Sequence, residues 1–499
     1  MQEDIAGRWR SLTGRSRAGL ALLAAILAVG GVARIWLACV DDGIYWPDEV
    51  YQSLEPAHRL VFGPGLVSWE YGLGARTWAL PGLVAALLWL CQAIGLDDPR
   101  QYLLVTRFAM CAIAMATAWA GYLLGRRLGA EPLFAACGAA VFALAGPAVY
   151  FGPKALSETV SALPIVLGLA SALSPHATRR DRIVGACLLC LATIIRLHNA
   201  IFCLALLAVW LGERRWRAVI DGVVVMAAGA LALGVLDRLT WGEWFQSSVL
   251  YLRFTFVMDG GPVTGDSPAT YYLQMFARSM PFVAALAVVL AIAGAARARS
   301  LAFVVAVFLL AHVLTPNKAY RYVIVAIPLM GALAAAGLQA FHDRRSRRAA
   351  LATAALLVVF CAWSLATMRT LTFGDIGPYE KTRAAESAFD DVGSVNRLLV
   401  VASRQAELCG LRVETHHLTW TGGYSFFHRN APLYSAAGPD RSSGFYNFII
   451  ASTAETAGNP VASDGAFVLR RLGPVTCVPD PSYDWKLPGY DAIRQGLGR

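Results

Sequence analysis

Charged residues are scarce in this sequence. Only 15% of its 499 residues are Asp, Glu, Lys or Arg, whereas 57% are hydrophobic. The hydrophobic residues fall in long blocks, which excludes an ordinary water-soluble globular domain and is typical of a membrane protein. One helical crossing needs roughly 20 apolar residues, and apolar blocks of about this length recur through the first three quarters of the chain. We therefore expect an all-α polytopic membrane protein with about 11 to 12 transmembrane helices.

Paired metal-binding motifs and internal repeats are also missing. The ten Cys residues lie mostly inside apolar blocks and form no CxxC pair, so no zinc site or disulfide framework is expected there. Cys409 and Cys477 are exceptions, because both lie in the polar C-terminal region, where a disulfide and two free thiols are equally compatible with the sequence. Without repeats, the two-halved pattern of many transporters is not evident.

The net charge of +10 does not predict a nucleic-acid partner, because the Arg clusters lie between apolar blocks rather than on one polar face. By the positive-inside rule, the Arg-rich loops between Arg126 and Arg348 should be cytoplasmic. The loop 41–78 and the chain from residue 369 should then face outward. The segment 78–96 is left open, since it either crosses the membrane or is re-entrant.

Two parts of the chain differ from the simple crossing pattern. The apolar segments 183–195 and 199–211 are short, which predicts a hairpin that carries Arg196 and His198 below the membrane surface. Further on, the runs at 398–401, 448–450 and 466–469 predict strands of a small soluble α/β domain. We thus divide the chain into a membrane catalytic domain, 1–368, and a C-terminal domain, 369–499.

The segment from Trp46 to His58 is the most informative motif. It reads Trp-Pro-Asp-Glu-Val-Tyr-Gln-Ser-Leu-Glu-Pro-Ala-His and directly follows the first apolar block. A short helix that begins near Pro47 would place Asp48, Gln52 and Glu55 on one face. A carboxylate beside the membrane fits a general base that takes the proton of an acceptor hydroxyl, so Asp48 is the predicted catalytic residue. A helix-capping role for Asp48 is equally compatible with the spacing.

The remaining candidates are aromatic or cationic. Trp69, Glu70 and Tyr71 continue the outward loop and fit either a sugar-binding face or an aromatic belt at the interface. Lys318 and Arg321 lie between two apolar blocks on the outward side, where the positive-inside rule does not expect cations. Such a pair can stabilise the charge of a phosphate leaving group.

Taken together, these motifs resemble the Alg9-like mannosyltransferases of the GT-C superfamily, which include GPI-anchor mannosyltransferases. The family pattern His-Pro-Asp-Glu corresponds to residues 46–49, with Trp46 in place of His. The family's His-Lys-Glu-x-Arg-Phe motif looks like residues 317–322, in which Lys318 and Arg321 are kept. Further matches are Tyr51, Gln52, Glu55, Trp69, Glu70, Tyr71, Arg76 and Pro81.

The resemblance implies a GT-C bundle whose active site lies in the loop 41–78. It implies an inverting glycosyltransferase, a mannosyltransferase, that uses a polyprenyl-phosphate-linked sugar to glycosylate a lipid-linked glycan or an envelope polysaccharide. The predicted substrate-binding residues are Glu49, Gln52, Glu55, Trp69, Glu70, Tyr71, Arg76, Lys154, Glu158, Arg196, His198, Lys318, Arg321 and Tyr322.

Composition and the absence of an endoplasmic-reticulum retention signal favour a bacterial inner-membrane protein with a periplasmic active site. No cofactor is expected: Asp48, Glu49 and Glu70 offer the oxygen ligands that Mg²⁺ or Mn²⁺ takes, but their spacing does not require a metal. The alternative function is a transporter or flippase of lipid-linked sugars. A transporter should place its polar groups near the bilayer midplane, whereas here they collect on one side.

Overall fold

Helices carry most of the chain in the computed structural model, which describes residues 2–256, 267–373, 387–473, 476–487 and 490–496, with side chains from residue 16. In chain order, the helices are α1 (Gln2–Val40), α2 (Glu55–Phe62), α3 (Trp69–Leu73), α4 (Ala79–Ala93), α5 (Pro99–Arg127), α6 (Pro132–Ala143), α7 (Gly146–Tyr150), α8 (Ser157–Ala172), α9 (Arg179–Ile195), α10 (Ala200–Gly212), α11 (Trp216–Trp241), α12 (Gln246–Phe256), α13 (Tyr271–Ser279), α14 (Pro281–Ala295), α15 (Arg299–Leu314), α16 (Ala326–Arg344), α17 (Arg347–Ala366), α18 (Gly393–Ser403), α19 (Gly423–Phe427) and α20 (Tyr490–Gly496).

Several of these helices can cross a membrane. Among the described residues, five segments are long and apolar enough, namely Ser16–Val40, Pro99–Arg127, Trp216–Trp241, Tyr320–Arg344 and Arg347–Ala366. The helices α13 and α14 form a sixth candidate that is bent by 119°. Five further apolar helices have only 10–17 residues, short of the roughly 20 that a perpendicular crossing needs. The polytopic α-helical class is confirmed, and the expected 11 to 12 crossings are approached only if these short helices are counted.

The segment 78–96, which forms α4, does not cross the membrane. Arg107, near the start of α5, donates a hydrogen bond to the carbonyl of Ala38 and pairs with Asp42, at 3.1 and 3.0 Å. The C-terminal end of α1 and the N-terminal end of α5 therefore lie together. Since α4 also packs against α2 of the outward loop, it returns to the side from which it starts. The 29-residue helix α5 then places Arg126 and Arg127 at its opposite end, in accord with the positive-inside rule.

The chain breaks between α9 and α10. Arg196 has extended backbone, with φ −150° and ψ 114°, and a single 3₁₀ turn, Leu197–Asn199, follows it. The carbonyl of Ala192 accepts from the N–H of Arg196 and from the Asn199 side chain, both at 3.0 Å, which ties the turn to the end of α9. The break therefore presents the side chains of Arg196 and His198 between two helices rather than within one.

The C-terminal region contains a mixed five-stranded sheet. Its strands are β1 (Leu411–Val413), β2 (Leu433–Ser435), β3 (Phe448–Ser452), β4 (Asn459–Asp464) and β5 (Phe467–Arg471), in the order β2-β1-β3-β5-β4. The strands β2, β1 and β3 are parallel, with Leu411 aligned to both Leu433 and Phe448, while β5 is antiparallel to β3 and β4. The central strand β3 is buried from Phe448 to Ala451, as an uninterrupted apolar run requires.

One predicted strand is wrong. Residues 398–401 lie in α18, not in a strand. The run Leu-Leu-Val-Val is too short for its period to be read, and a buried helix segment has the same composition as a buried strand. The helix packs on β3, β4 and β5, so Leu398, Leu399 and Val400 are buried.

The described residues form two compact units, each discontinuous in sequence. The first unit lies within Met1–Trp36, Met110–Leu236 and Asp259–Glu386, and the second within Leu37–Ala109, Asp237–Met258 and Ser387–Arg499. In the second unit, Cys409 and Cys477 form a disulfide. The domain boundary at 368/369 stays a prediction, and residues 374–386 of the expected C-terminal domain lie outside the described residues.

Candidate active site

In the second unit, Gln52 joins two carboxylates. Its Nε2 atom donates one hydrogen bond to the Asp48 carboxylate and another to Oε1 of Glu70, the latter at 2.9 Å. An amide nitrogen carries two hydrogens, and each is donated to one of the two carboxylates. The result is a pair of carboxyl groups held in a fixed relation by an uncharged bridge.

A widened helical turn positions this cluster. Residues Val50–Leu54 form a π-helical turn, and the N–H of Glu55 donates to the carbonyl of Val50, five residues earlier. Such turns are rare and are frequently found at functional sites. The Tyr71 hydroxyl donates to the carbonyl of Gln52 at 3.0 Å, which ties this turn to α3.

Because of the same π-helical turn, the Glu55 carboxylate binds a different part of the chain from Asp48 and Gln52. Its carboxylate accepts hydrogen bonds from the backbone N–H groups of Leu66, Tyr424 and Ser425 at 2.8–2.9 Å, and from the Ser425 hydroxyl at 2.7 Å. The shared face predicted for Asp48, Gln52 and Glu55 therefore does not form, because regular α-helical spacing does not hold across the π turn. Glu55 instead ties α2 to the start of α19, and Glu49, next to Asp48 in sequence, is buried.

Glu70 lies in an environment that favours its neutral form. Burial raises the pKa of its carboxyl group, nearby Arg76 opposes this shift, and Asp48 adds to it. The Arg76 guanidinium lies over the Tyr251 ring, 5.0 Å from its centroid. Two carboxyl groups with different surroundings are thus bridged by one amide, an arrangement that suits one of them to accept a proton.

Asp48, Gln52, Trp69 and Glu70 line a cavity of about 160 Å³, together with Thr419, Leu487 and Tyr490. Hydrogen bonds between Val67 and the segment Trp485 to Leu487 bring the C-terminal chain alongside the loop. Trp69 packs on Phe254, with ring centroids 4.4 Å apart. The opposite face of the Trp69 ring is therefore the face that a ligand can contact. The sequence did not reveal Thr419, Leu487 or Tyr490, because no motif or spacing relates them to residues about 350 to 440 positions earlier.

The first unit contains a buried cationic cluster. Glu158, at the start of α8, accepts from Arg196 at 3.0 Å and from Arg321 at 2.9 Å through the same oxygen atom. Both guanidinium groups also lie over the Tyr322 ring, 4.9 and 4.7 Å from its centroid. Two buried cations thus share one carboxylate oxygen, and paired guanidinium groups of this kind are suited to contact an anion.

Three other predicted residues of the first unit contact loop carbonyl groups or Tyr rings. Lys318 donates to the carbonyl oxygens of Thr315 and Ser267 at 2.6 and 2.8 Å, so it joins its own loop to the segment at Ser267. Lys154 lies over the Tyr150 ring at 5.3 Å. The His198 ring is stacked near Tyr322, with centroids 6.3 Å apart.

Within the described ranges, no group of three or more His, Cys, Asp or Glu side chains is placed to hold a metal ion. The Asp48 and Glu70 carboxylates are joined by a Gln52 amide, which donates hydrogen bonds and offers no lone pair at its nitrogen. A metal-free mechanism stays the prediction.

Known proteins resemble this chain in both sequence and fold. The model of the Alg9-like mannosyltransferase family matches residues 25–386. Mannosyltransferase APTG1 of Arabidopsis thaliana is 26% identical over 335 residues, 60% of this chain and 58% of that protein. GPI mannosyltransferase 3 of Yarrowia lipolytica is 28% identical over 256 residues, 50% of this chain and 49% of that protein. The chain thus aligns with only about half the length of these relatives.

Two solved structures share the fold. ArnT from Cupriavidus metallidurans bound to undecaprenyl phosphate has a TM-score of 0.61 at 14% identity, covering 91% of this chain and 99% of that one. The mycobacterial arabinofuranosyltransferase AftD has a TM-score of 0.52 at 15% identity, covering 90% and 40%. The chain therefore has the GT-C fold, and it belongs to the Alg9-like mannosyltransferase family.

Proposed function

We propose that this chain is an inverting mannosyltransferase that takes mannose from a polyprenyl-phosphate donor, with Asp48 as the general base. The observation that carries the proposal is the Asp48 carboxylate itself, held by Gln52 beside Glu70 at the wall of an open cavity. A carboxylate in this position can accept a proton from a sugar hydroxyl that enters the cavity.

The reaction is a single displacement. Asp48 removes the proton from the acceptor hydroxyl, the hydroxyl oxygen forms a bond to the anomeric carbon, and the bond from that carbon to the phosphate oxygen breaks. The electron pair leaves with the polyprenyl phosphate, and the configuration at the anomeric carbon inverts. The second requirement of such a transfer is stabilisation of the negative charge that develops on the phosphate.

Other observations support the donor and the compartment. The relatives named above include GPI mannosyltransferases, and the structurally similar ArnT was solved with undecaprenyl phosphate. The Cys409–Cys477 disulfide favours an oxidising compartment for the second unit. We propose a bacterial inner membrane, a periplasmic active site, and an acceptor that is a lipid-linked glycan or an envelope polysaccharide.

The test is transfer of radiolabelled mannose from synthetic undecaprenyl-phosphate mannose to envelope lipid by the purified chain in liposomes. Wild type and Asp440→Asn should form product, whereas Asp48→Asn should not. Asp440 is a matched control because it is an exposed Asp that caps a turn by accepting from the N–H of Ser442, which Asn can also do. Movement of the labelled lipid across the bilayer without any transfer would favour the flippase alternative.

A further inference from the structure

The C-terminal region contributes to the cavity that Asp48 lines. Thr419, Leu487 and Tyr490 form one wall, the C-terminal wall, and the other lining residues belong to the loop 41–78. The cavity volume of about 160 Å³ is close to the ~150 Å³ that holds one benzene ring in an engineered protein. One six-membered ring, such as that of a single sugar residue, therefore fits the cavity.

Backbone and ring contacts hold the C-terminal wall in place. The N–H of Val67 donates to the carbonyl of Trp485 at 2.7 Å, and the N–H of Leu487 donates to the carbonyl of Val67 at 2.9 Å. The Tyr490 ring packs on α3 so closely that a Cβ atom at residue 72 would overlap it, which explains the need for Gly72. The C-terminal wall is therefore fixed relative to the loop 41–78, as a preorganised binding site requires.

Two hydroxyl groups of the C-terminal wall are available to a ligand. Neither Oγ1 of Thr419 nor the hydroxyl of Tyr490 forms a hydrogen bond with a residue in the described ranges. The hydroxyl of Tyr51, which also lines the cavity, differs because it lies within hydrogen-bond distance of the carbonyl oxygens of Leu418 and Thr421. A hydroxyl donates one hydrogen bond and accepts up to two, so Thr419 and Tyr490 can each bind a hydroxyl group of a sugar.

The charges around the cavity favour a neutral ligand. Among the described residues, the lining contains two carboxyl groups, Asp48 and Glu70, and no Lys or Arg. Arg76 interacts electrostatically with both carboxyl groups without lining the cavity, and Lys486 is paired with Asp484 at 3.2 Å. A phosphate is held by cations or by several N–H groups, whereas the hydroxyl groups of a neutral sugar can donate to carboxylates. The cavity thus suits the sugar of an acceptor better than the phosphate of a donor.

We propose that Thr419 and Tyr490 bind a neutral sugar residue of the acceptor, so that the C-terminal wall selects which acceptor is mannosylated. This role rests on the proposed function, because Asp48 is there the base that receives the proton of an acceptor hydroxyl. The two hydroxyl groups of the wall orient the sugar ring toward Asp48. A sugar that carries its own carboxylate is disfavoured, since its charge repels that of Asp48.

The kinetic test uses the full chain in liposomes and measures mannose transfer from undecaprenyl-phosphate mannose to total envelope lipid, with each substrate varied in turn. Thr419→Val and Tyr490→Phe each remove one hydroxyl group and keep the shape of the side chain. Each should raise the KM for envelope lipid by about 3- to 10-fold, as expected for one hydrogen bond between uncharged groups. The kcat, the KM for the donor and the melting temperature should stay at the wild-type values.

Thr456→Val is the matched control, because Thr456 is exposed in the turn between β3 and β4, away from the cavity. It should behave as wild type in every measurement. An unchanged KM for envelope lipid in both Thr419→Val and Tyr490→Phe would overturn the proposal. A raised KM for the donor alone would also overturn it, since the C-terminal wall would then bind the donor sugar.

A binding test needs no catalysis and so separates this proposal from the proposed function. Radiolabelled octyl glycosides of mannose, glucose and galactose are compared with octyl glucuronide, after subtraction of the amount that empty liposomes retain. Wild type should bind a neutral glycoside more tightly than the glucuronide, and Thr419→Val and Tyr490→Phe should weaken that binding by about 3- to 10-fold.

The two tests fail in different ways. If wild type transfers no mannose but shows these binding differences, the proposed function is wrong and the neutral-sugar site at Thr419 and Tyr490 stands. If wild type binds none of the neutral glycosides, or binds the glucuronide equally well, the proposal is overturned whether or not mannose is transferred.

Discussion

The two polar clusters of this protein are built from the same residue types in opposite proportions. In the second unit, two carboxyl groups share one uncharged amide, and the cluster lines an open cavity. In the first unit, two guanidinium groups share one carboxylate, and all three side chains are at most 5% exposed. An excess of acid at an accessible surface suits proton transfer, whereas an excess of buried cation suits the binding of an anion.

The difference also shows in how each cluster is held. The acidic cluster depends on local spacing, since Asp48 and Gln52 are four residues apart and a π turn sets their direction. The cationic cluster depends on three distant segments, the start of α8, the break after α9 and the turn before α16. Substitutions should therefore affect chemistry more in the first case and stability more in the second.

The largest expected effect is that of Asp48→Asn. Removing the proton acceptor should lower kcat by about 10²- to 10⁴-fold, the usual contribution of a general base, with little change in KM. Asp48→Glu keeps a carboxylate and should recover part of the rate. Steady-state transfer kinetics provide the measurement. Full activity of Asp48→Asn would leave the acidic cluster without a catalytic role.

Glu158→Gln tests the cationic cluster. The change removes the charged carboxylate that both buried guanidinium groups contact and should lower the free energy of unfolding by about 3–5 kcal/mol. Adding Arg196→Gln removes one of those charges and should restore part of the loss, which a double-mutant cycle in thermal unfolding measures. Asp221→Asn breaks the exposed pair with Arg179 and should leave stability nearly unchanged. An unaltered melting temperature for Glu158→Gln would contradict the ion-pair assignment.

A smaller effect is expected from changing the bridge between the two acids. Gln52→Leu removes both hydrogen bonds of the amide and should reduce kcat by about tenfold, equivalent to about 1.4 kcal/mol. Gln52→Glu adds a third carboxyl group, whose charge disfavours ionisation of the others, so the acid limb of the pH–rate profile should move to higher pH. A pH–rate profile that is unchanged from wild type in both variants would show that Gln52 contributes only packing.

Much of this comparison was predictable from the sequence. The apolar blocks gave the membrane class, and the spacing of Asp48 and Gln52 gave their contact. The π turn that redirects Glu55 was not predictable, because it depends on the hydrogen bonds that Glu55 makes with Tyr424 and Ser425, far along the chain. Thr419 and Tyr490, which line the cavity at Asp48, could not be predicted for the same reason. The non-crossing α4 could be assigned only from the contact of Arg107 with Ala38.

The last expected effect concerns pH and a buried histidine pair in the second unit. His58 on α2 donates from Nδ1 to the carbonyl of Pro64, so its Nε2 accepts from Nδ1 of His428, both at 2.8 Å. Burial lowers the pKa of His58 to about 3, the neighbouring His428 adds to this shift, and the Pro64 carbonyl opposes it. A His in the unfolded chain binds a proton near pH 6.5, whereas the folded His58 does not until about pH 3.

The fold of the second unit should therefore lose stability as the pH falls from 6.5 toward 3, by about 1.4 kcal/mol per pH unit for this one proton. His58→Gln removes the titrating group while Gln can still accept from His428, so the dependence of the melting temperature on pH should become shallower. His176→Gln, at an exposed position, should not change it. Identical pH dependence in wild type and His58→Gln would mean that the His pair does not set the acid sensitivity of the unit that carries Asp48.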